Sequence, residues 1–255
     1  MCIGPQVDTG APAAEARAMK TDNLCGMNAV SAAFARRPDA ILRLFYLPAQ
    51  KLAAGPFCAV MAGAKKPYRM VEAEELAKVA GTPHHGGIVA VAKPLVPAIL
   101  DLDNPPRGKL LLVLDGIGNP HNLGAIARSA AFFGVANMLI GEGIGHALPS
   151  DAAFRTAEGG LEHIALFRTR DLPRALNALM PHYRTVATTL DRAALPLAEL
   201  PRDRPVALVL GNEETGVSAP VLAACRRQVR ISGPGRVQSL NVAQAAAVFL
   251  HALSG

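Results

Sequence analysis

The chain has 255 residues, of which 51% are hydrophobic, and it carries a formal net charge of +6. This length suits one large domain or two modest ones, and the apolar content excludes disorder over most of the chain. No run approaches the roughly 18 apolar residues of a membrane span, and the N-terminus lacks a secretory signal pattern, so we expect a soluble, cytoplasmic protein. The basic charge favours a polyanionic partner such as nucleic acid, although charge alone is weak evidence for one.

The cysteines and histidines do not predict a metal centre. The four cysteines have no CxxC pair and no histidine at metal-ligand spacing, so we expect reduced, mostly buried thiols. They are Cys2, Cys25, Cys58 and Cys225. The pair His84-His85 has no further ligands clustered near it, and we assign it to a surface or RNA-contact role.

The first half of the chain predicts a tail, a small α/β domain and a linker. Residues 1–20 are rich in Ala, Gly and Pro without a clear period, which is typical of a mobile tail. Residues 21–93 form the predicted small domain, because short apolar runs alternate there with helical patterns. Its predicted helices cover 27–37, 57–64 and 73–80, and its predicted strands cover 41–47, 68–71 and 88–91. Residues 94–107 contain four prolines and predict a linker with room for one short helical turn.

The second half, residues 108–255, shows a stronger alternation of strands and helices. The predicted strands cover 110–114, 137–140, 163–167, 185–188, 206–210 and 229–231. The predicted helices cover 123–133, 171–180, 220–226 and 241–253. Because the strands are almost continuously apolar, the pattern predicts an α/β fold with a parallel sheet covered on both faces.

Three polar or glycine-containing segments in this half carry the strongest functional signal. They are Asn119–Gly124 with Arg128 beyond it, Gly211–Gly216 directly after an apolar strand, and Gly235–Val242 at the start of an apolar helix. Parallel α/β folds bind their ligands in the crevice outside the carboxyl ends of the strands. The segments therefore predict a binding site at that edge of the sheet.

Each segment also has a purely structural interpretation. Asn122 could cap a helix while Gly124 permits close packing, and Glu213 could simply be solvated in a tight turn. Ser239 and Asn241 are both common helix N-caps. A helix needs only one cap, however, whereas this segment offers two polar side chains. Arg128 has no obvious local partner among its small neighbours, so binding of an anionic ligand is a reasonable function for it.

Taken together, the three segments resemble the motifs of the SpoU (TrmH) group of S-adenosylmethionine-dependent RNA ribose 2'-O-methyltransferases. The first motif is matched by Asn122, Gly124 and Arg128. The second is matched by Gly211, Asn212, Glu213 and Gly216, and the third by Ser239-Leu240-Asn241-Val242. The third departs from the family upstream, where Ile231-Ser232-Gly233 stands in place of the usual Ile-Pro-Met.

The resemblance implies a SPOUT domain with a deep trefoil knot in the C-terminal third, and a homodimer with its active site at the subunit interface. It implies S-adenosylmethionine as cofactor and 2'-O-methylation of a ribose in rRNA or tRNA as the activity. The implied catalytic residues are Arg128, Asn122, Glu213, Ser239 and Asn241. The implied cofactor-binding residues are Thr188, Gly211, Asn212, Gly216, Ile231, Leu240 and Val242.

The resemblance implies a role for Arg128 as the catalytic base, and this role conflicts with the chemistry of arginine. The residue is the proposed base, yet the guanidinium of arginine is a hydrogen-bond donor that does not lose its proton in proteins. We expect Arg128 instead to hold the target phosphate and to stabilise the developing alkoxide. Asn122, Glu213, Ser239 and Asn241 would then orient the ribose or Arg128.

Other segments bear on the substrate. Glu158–His163 resembles a stretch of enzymes that modify guanosine in large-subunit rRNA, and Gly26–Val30 and His85–Ala90 resemble their small RNA-binding domain. A mix of cations and tyrosines in the first half suits phosphate contact and base stacking. These residues are Lys51, Lys65, Lys66 and Arg69, with Tyr46 and Tyr68.

Two other functions stay open from the sequence. The first is a non-catalytic RNA-binding or ribosome assembly factor that retains the fold. In that case the altered Ser232-Gly233 would be a sequence sign of the lost activity. The second, weaker one is a nucleotide-dependent oxidoreductase, which the missing third glycine of the Gly141–Gly145 segment disfavours. Cofactor preference separates these possibilities.

Overall fold

The computed structural model describes residues 21–143 and 145–254, and this part of the chain contains two β-sheets. The first sheet lies between residues 22 and 92 and has four strands in the order β1-β4-β2-β3. These strands are β1 (Asp22–Cys25), β2 (Ile41–Tyr46), β3 (Tyr68–Met70) and β4 (Ile88–Ala92). The central strand β4 runs antiparallel to both of its neighbours, and β2 pairs with β3 in parallel. The predicted tail, residues 1–20, lies outside the described residues.

Three helices flank this sheet: α1 (Met27–Arg36), α2 (Lys51–Gly63) and α3 (Ala73–Ala80). The predicted start of α2 at residue 57 is wrong, because Pro56 lies inside the helix instead of before it. A proline in the second turn removes one backbone hydrogen bond but does not end the helix there. Strand β1 was not predicted, since its four residues are too few to show a period.

The second sheet is built of eight strands, and all of its pairings are parallel. The order is β10-β12-β9-β11-β6-β7-β8-β5. Its strands are β5 (Ala98–Ile99), β6 (Leu110–Asp115), β7 (Asn137–Gly141), β8 (Ala165–Thr169), β9 (Arg184–Thr188), β10 (Leu195–Pro196), β11 (Val206–Gly211) and β12 (Arg227–Arg230). The predicted α/β fold with a C-terminal parallel sheet is confirmed.

Helices cover both faces of the second sheet. They are α4 (Pro120–Phe132), α5 (Asp151–Ala157), α6 (Leu172–Leu179), α7 (Ala219–Ala223) and α8 (Val242–Ser254). Strand β6 shows why two faces are needed, because its side chains alternate between two hydrophobic clusters. Leu112 and Leu114 pack with α4 and α8, whereas Leu111 and Val113 pack with α6 and α7. None of the helices in the described ranges combines the length and apolar character needed to span a membrane.

The segment 94–107 differs from its prediction as a linker with a helical turn. It contains the two-residue strand β5, which pairs with β8 and extends the second sheet. Helix α5 and strand β10 were also not predicted. Strands of two residues and a helix of seven are fixed by pairing and packing with distant parts of the chain, which a local pattern does not reveal.

The two sheets share one hydrophobic core and a buried ionic contact. Leu24 and Val30 of the first domain belong to the same cluster as Phe154 of α5 and Leu161. Arg37, which follows α1, donates from Nε and Nη2 to the carboxylate of Glu162, both at 2.7 Å. The Glu162 side chain is 2% exposed, so this pair lies inside the joint between the domains.

Candidate functional site

The three polar segments meet at the carboxyl edge of the second sheet. Strands β6 and β11 are adjacent there, and the helices α4 and α8 begin beside them. The Asn122 side chain donates from Nδ2 to Glu213 Oε1 and accepts a hydrogen bond of 3.2 Å from Asn241 Nδ2. One hydrogen-bonded chain therefore joins a residue from each segment, although Glu213 and Asn241 follow Asn122 by 91 and 119 positions in the sequence.

Asn122 is available for this chain because another residue caps α4. The helix begins at Pro120, and Asn119 is its N-cap, with Oδ1 accepting from the His121 amide at 2.8 Å. The structural interpretation of Asn122 as the cap is therefore wrong. Gly124 does permit close packing, since a Cβ there would lie against Ala153 O and 2.9 Å from Thr156 Cβ on α5.

The loop after β11 is closed by its own backbone. Asn212 and Gly216 exchange two hydrogen bonds of 3.0 and 2.9 Å, and Asn212 Oδ1 accepts from the amides of Glu214 and Thr215. A Cβ at Gly211 would overlap the backbone of Gly216. Glycine is therefore required at position 211 for the loop to fold back over the strand end.

Two contacts that sequence reasoning missed hold this loop against β6. Asn212 Nδ2 donates to Gly116 O at 2.8 Å, and the Ser218 amide donates to Asp115 Oδ2 at 2.7 Å. Asp115 is 7% exposed and ends β6. An acidic residue directly after the apolar run of β6 is a sequence feature from which a role for Asp115 at the strand end could have been predicted.

Arg128 lies on α4 but outside the Asn122 chain. Its Nη1 is 3.0 Å from Glu158 Oε1, and its side chain is 58% exposed. Glu158, the residue after α5, is another residue that sequence reasoning did not assign to the site. Because Glu158 lies 30 residues from Arg128 along the chain, no local sequence pattern predicts their contact.

The third segment is the most exposed part of the site. Residues 232–241 are all exposed, and Leu240 exposes 45% of its surface. Asn241 Oδ1 accepts from the Ala243 amide at 2.9 Å, so Asn241 caps α8 while its Nδ2 reaches Asn122. Among the hydrogen bonds of the described residues, none involves the Ser239 side chain. Val242, the first residue of α8, is buried.

The remaining predicted cofactor residues lie at neighbouring strand ends. Thr188 ends β9, and its hydroxyl donates to Val209 O at 3.0 Å. Ile231 directly follows β12 and is half-buried. Ser232 in the altered stretch accepts from Arg230 Nη1 at 2.9 Å.

These residues fit a nucleoside-like cofactor chemically. Ile231 and Leu240 present apolar surface, and the exposed Glu213 carboxylate on the Gly211–Gly216 loop presents hydrogen-bond acceptors. Cofactor sites combine such apolar walls with a few polar groups. In the described ranges, no group of three or more His, Cys, Asp or Glu side chains could hold a metal ion.

The histidine pair 84-85 differs partly from its predicted surface role. His84 is exposed, but His85 is 8% exposed and its Nδ1 accepts from the Gly87 amide at 3.1 Å. His85 therefore stabilises the turn before β4. The predicted surface position is therefore wrong for His85.

Both halves of the chain match known protein families. Residues 109–251 match the SpoU rRNA Methylase family, and residues 24–98 match the family described as RNA 2'-O ribose methyltransferase substrate binding. A 23S rRNA (guanosine-2'-O-)-methyltransferase RlmB of Acinetobacter baylyi is 32% identical over 91% of this chain and 96% of its own length.

Two further proteins are similar to the chain. The uncharacterized tRNA/rRNA methyltransferase YfiF of Escherichia coli O157:H7 is 33% identical over 88% of this chain, which spans 65% of YfiF. The AdoMet-bound rRNA methyltransferase from Sinorhizobium meliloti has the same fold, with a TM-score of 0.73 over 91% of this chain and 86% of its own, at 22% identity.

The fold, the site and these matches define an RNA 2'-O-ribose methyltransferase with an N-terminal substrate-binding domain. Within this class, the chain belongs to the SpoU rRNA methylase family. S-adenosylmethionine is the methyl donor of this family, and the predicted cofactor and enzyme class are confirmed. Family membership decides against the nucleotide-dependent oxidoreductase.

Proposed function

We propose that this enzyme methylates the ribose 2'-hydroxyl of a guanosine in 23S rRNA, with Arg128 contacting the target phosphate. The observation that carries the proposal is the hydrogen-bonded chain of Glu213, Asn122 and Asn241, which lies at the base of α4, the helix that carries Arg128. The RlmB relative, which the chain covers almost completely, supports 23S rRNA guanosine as the substrate.

Arg128 acts as a charged hydrogen-bond donor in this proposal. Its Nη1 lies 3.0 Å from Glu158 Oε1, and among the described residues no hydrogen bond uses its other N–H groups, so these are available for a phosphate oxygen. A protonated guanidinium stabilises negative charge as the 2'-oxygen loses its proton. Arg128 does not itself accept that proton, because the guanidinium has five N–H donors and no acceptor.

Glu213 and the two asparagines orient the ribose. Glu213 is exposed, and its carboxylate accepts from Asn122, which leaves other lone pairs of the carboxylate for a ribose hydroxyl. We assign the same task to the hydroxyl of Ser239, which lies on the exposed segment two residues before Asn241. When bound, S-adenosylmethionine supplies a methyl group already attached to a sulfonium leaving group. The chain then mainly has to align the hydroxyl and assist removal of its proton.

The first domain selects the RNA. Lys51, Lys65 and Tyr68 are exposed and suit phosphate contact and base stacking. Lys66 and Arg69 are committed in part to the protein itself, since Lys66 Nζ donates to Asp39 O at 2.9 Å and Arg69 pairs with Glu75. We therefore expect Lys51 and Lys65 to contribute more to RNA affinity.

The predicted homodimer and trefoil knot belong to the same proposal. Phe132 on α4 is 83% exposed and Val248 on α8 is 40% exposed, and the two helices pack against each other. Large exposed apolar side chains on adjacent helices are typical of a protein interface. Light scattering should therefore give about twice the chain mass of 26.6 kDa, and a monomer would contradict the dimer. We place the enzyme in the cytoplasm with its RNA.

The test combines cofactor binding with methyl transfer. Purified wild-type protein and Arg128→Ala are titrated with S-adenosylmethionine in a calorimeter, then incubated with unmodified 23S rRNA and labelled cofactor. We expect equal cofactor affinity and a loss of at least a hundredfold in transfer rate for Arg128→Ala, since one transition-state donor is removed. Mapping the label should give one guanosine.

Other outcomes separate the alternatives. A wild-type rate in Arg128→Ala would remove Arg128 from the mechanism. RNA binding without cofactor binding would favour the assembly-factor alternative and point to the Ser232-Gly233 departure as its cause. Transfer to tRNA instead of 23S rRNA would keep the reaction and overturn the proposed substrate.

A further inference from the structure

Glu158 connects the guanidinium of Arg128 to the first domain. Its Oε1 lies 3.0 Å from Arg128 Nη1, and its Oε2 accepts a 3.2 Å hydrogen bond from Asn28 Nδ2. Asn28 is the second residue of α1, so it belongs to the substrate-binding domain. The carboxylate of Glu158 thus connects α4 to α1, one helix from each domain. Glu158 and Asn28 are 130 residues apart along the chain.

The backbone around Glu158 brings the same two helices together. A Cβ at Gly160 would lie 2.8 Å from Arg128 Cα, and a Cβ at Gly159 would lie 2.9 Å from Asn28 O. Residues 158–160 are therefore packed tightly between α4 and α1. Because a Cβ at either glycine would meet atoms of α1 or α4, glycine at both positions allows the turn to lie against Arg128 and the first domain at once.

Glu158 itself has an unusual backbone conformation. Its φ of 44° and ψ of 47° lie in the left-handed region, which glycine and asparagine adopt far more readily than glutamate. A non-glycine residue held there points to a role for its side chain. In this position the carboxylate reaches both Arg128 and Asn28, which supplies such a role.

We propose that Glu158 is a positioning residue, which holds the Arg128 guanidinium in one orientation and ties that orientation to α1 of the RNA-binding domain. One side of the guanidinium fork is anchored on Glu158, and the other side stays free for the phosphate. RNA seated on the first domain is thereby aligned with the group that activates its ribose. This inference rests on the proposed role of Arg128.

The first experiment measures single-turnover methyl transfer to unmodified 23S rRNA at saturating RNA and cofactor. We expect Glu158→Gln to lower the rate about tenfold, since a charge-assisted contact is lost, and Asn28→Ala to lower it about threefold. Affinity for S-adenosylmethionine should be unchanged. The matched control is Glu74→Gln, which removes the carboxylate charge of another exposed ion pair, with Lys78 at 2.9 Å, and should keep the wild-type rate.

A double-mutant cycle separates positioning from a structural effect. If Glu158 acts through Arg128, Glu158→Gln should change the rate less than twofold in an Arg128→Lys background. A tenfold loss in both backgrounds would mean that Glu158 acts through the fold and would overturn the inference. An unchanged rate for Glu158→Gln in the wild-type background would overturn it as well.

An NMR measurement keeps the inference testable without turnover. The Nε–H signal of Arg128, assigned by its loss in Arg128→Lys, should be ordered in the wild-type protein and mobile in Glu158→Gln. Equal mobility in both would overturn the inference. A full transfer rate in Arg128→Lys and Arg128→Ala, together with an ordered Arg128 signal, would instead show that the proposed function of Arg128 is what failed.

Discussion

At the scale of single residues, Gly211 matters because of what a side chain there would meet. The atoms nearest to an added methyl group would be backbone atoms of Gly216 and Val217, which cannot rotate away as a side chain could. The same loop carries Glu213, whose carboxylate accepts from Asn122. The absence of a side chain at one position therefore determines where a charged group lies.

We expect Gly211→Ala to displace the 211–216 loop and to weaken S-adenosylmethionine binding at least tenfold. The reason is that the added methyl group forces a backbone shift at the strand end where we propose that the cofactor binds. Calorimetric titration measures the affinity. The control is Gly63→Ala at the end of α2, where a Cβ would have no atom within 4 Å. Unchanged affinity in Gly211→Ala would place the cofactor away from this loop.

At the scale of elements, the joint between α1 and the turn before β8 holds the two domains together. Arg37 donates to Glu162 and also from Nη1 to Lys93 O at 2.6 Å. Asp22 on β1 lies beside the same arginine, and its pKa is raised by burial, although a hydrogen bond from the Leu95 amide opposes that rise. The joint therefore contains buried charges that depend on one guanidinium.

We expect Arg37→Ala to lower the free energy of unfolding by about 3 kcal/mol, because Glu162 would remain buried without its partner. Urea unfolding followed by circular dichroism measures the change. Arg43→Ala, which removes an exposed arginine of β2 in the same domain, should change stability by less than about 0.5 kcal/mol. Equal effects of the two variants would show that the ionic contact does not stabilise the joint.

At the scale of the whole molecule, thiol burial makes stability sensitive to alkaline pH. Burial raises the pKa of Cys25 from 9.0 to about 11 and that of Cys225 from 9.0 to about 12. Well below pH 9 the folded and unfolded states both keep these protons. Between pH 9 and 11 the unfolded chain releases them while the folded chain retains them, so the folded state loses relative stability as the pH rises.

We expect the free energy of unfolding to fall as the pH rises from 9 to 11, and Cys25→Ala to make that fall shallower. One thiol contributes at most about 1.4 kcal/mol per pH unit in this range. Urea unfolding at pH 8, 9, 10 and 11 measures both slopes. The two proteins should show parallel behaviour below pH 9. Identical slopes above pH 9 would mean that Cys25 does not retain its proton in the folded state.

Much of the molecule could be predicted from local patterns. The apolar runs of β6 and β11 predict buried parallel strands, and the motifs around Asn122, Glu213 and Asn241 predict a shared site. These features are encoded locally, because buried strands need apolar residues and strand ends need residues that turn. The family of the protein followed from the same motifs.

The sequence alone thus determined the fold class, the family and the residues at the strand ends, since each depends on neighbouring side chains. Only the tertiary structure decided that β5 joins the second sheet, that Asn119 caps α4 and that Glu158 contacts both Arg128 and Asn28. Those contacts join residues far apart in the chain. Their geometry depends on packing that brings distant elements together, and no local pattern of residues specifies it.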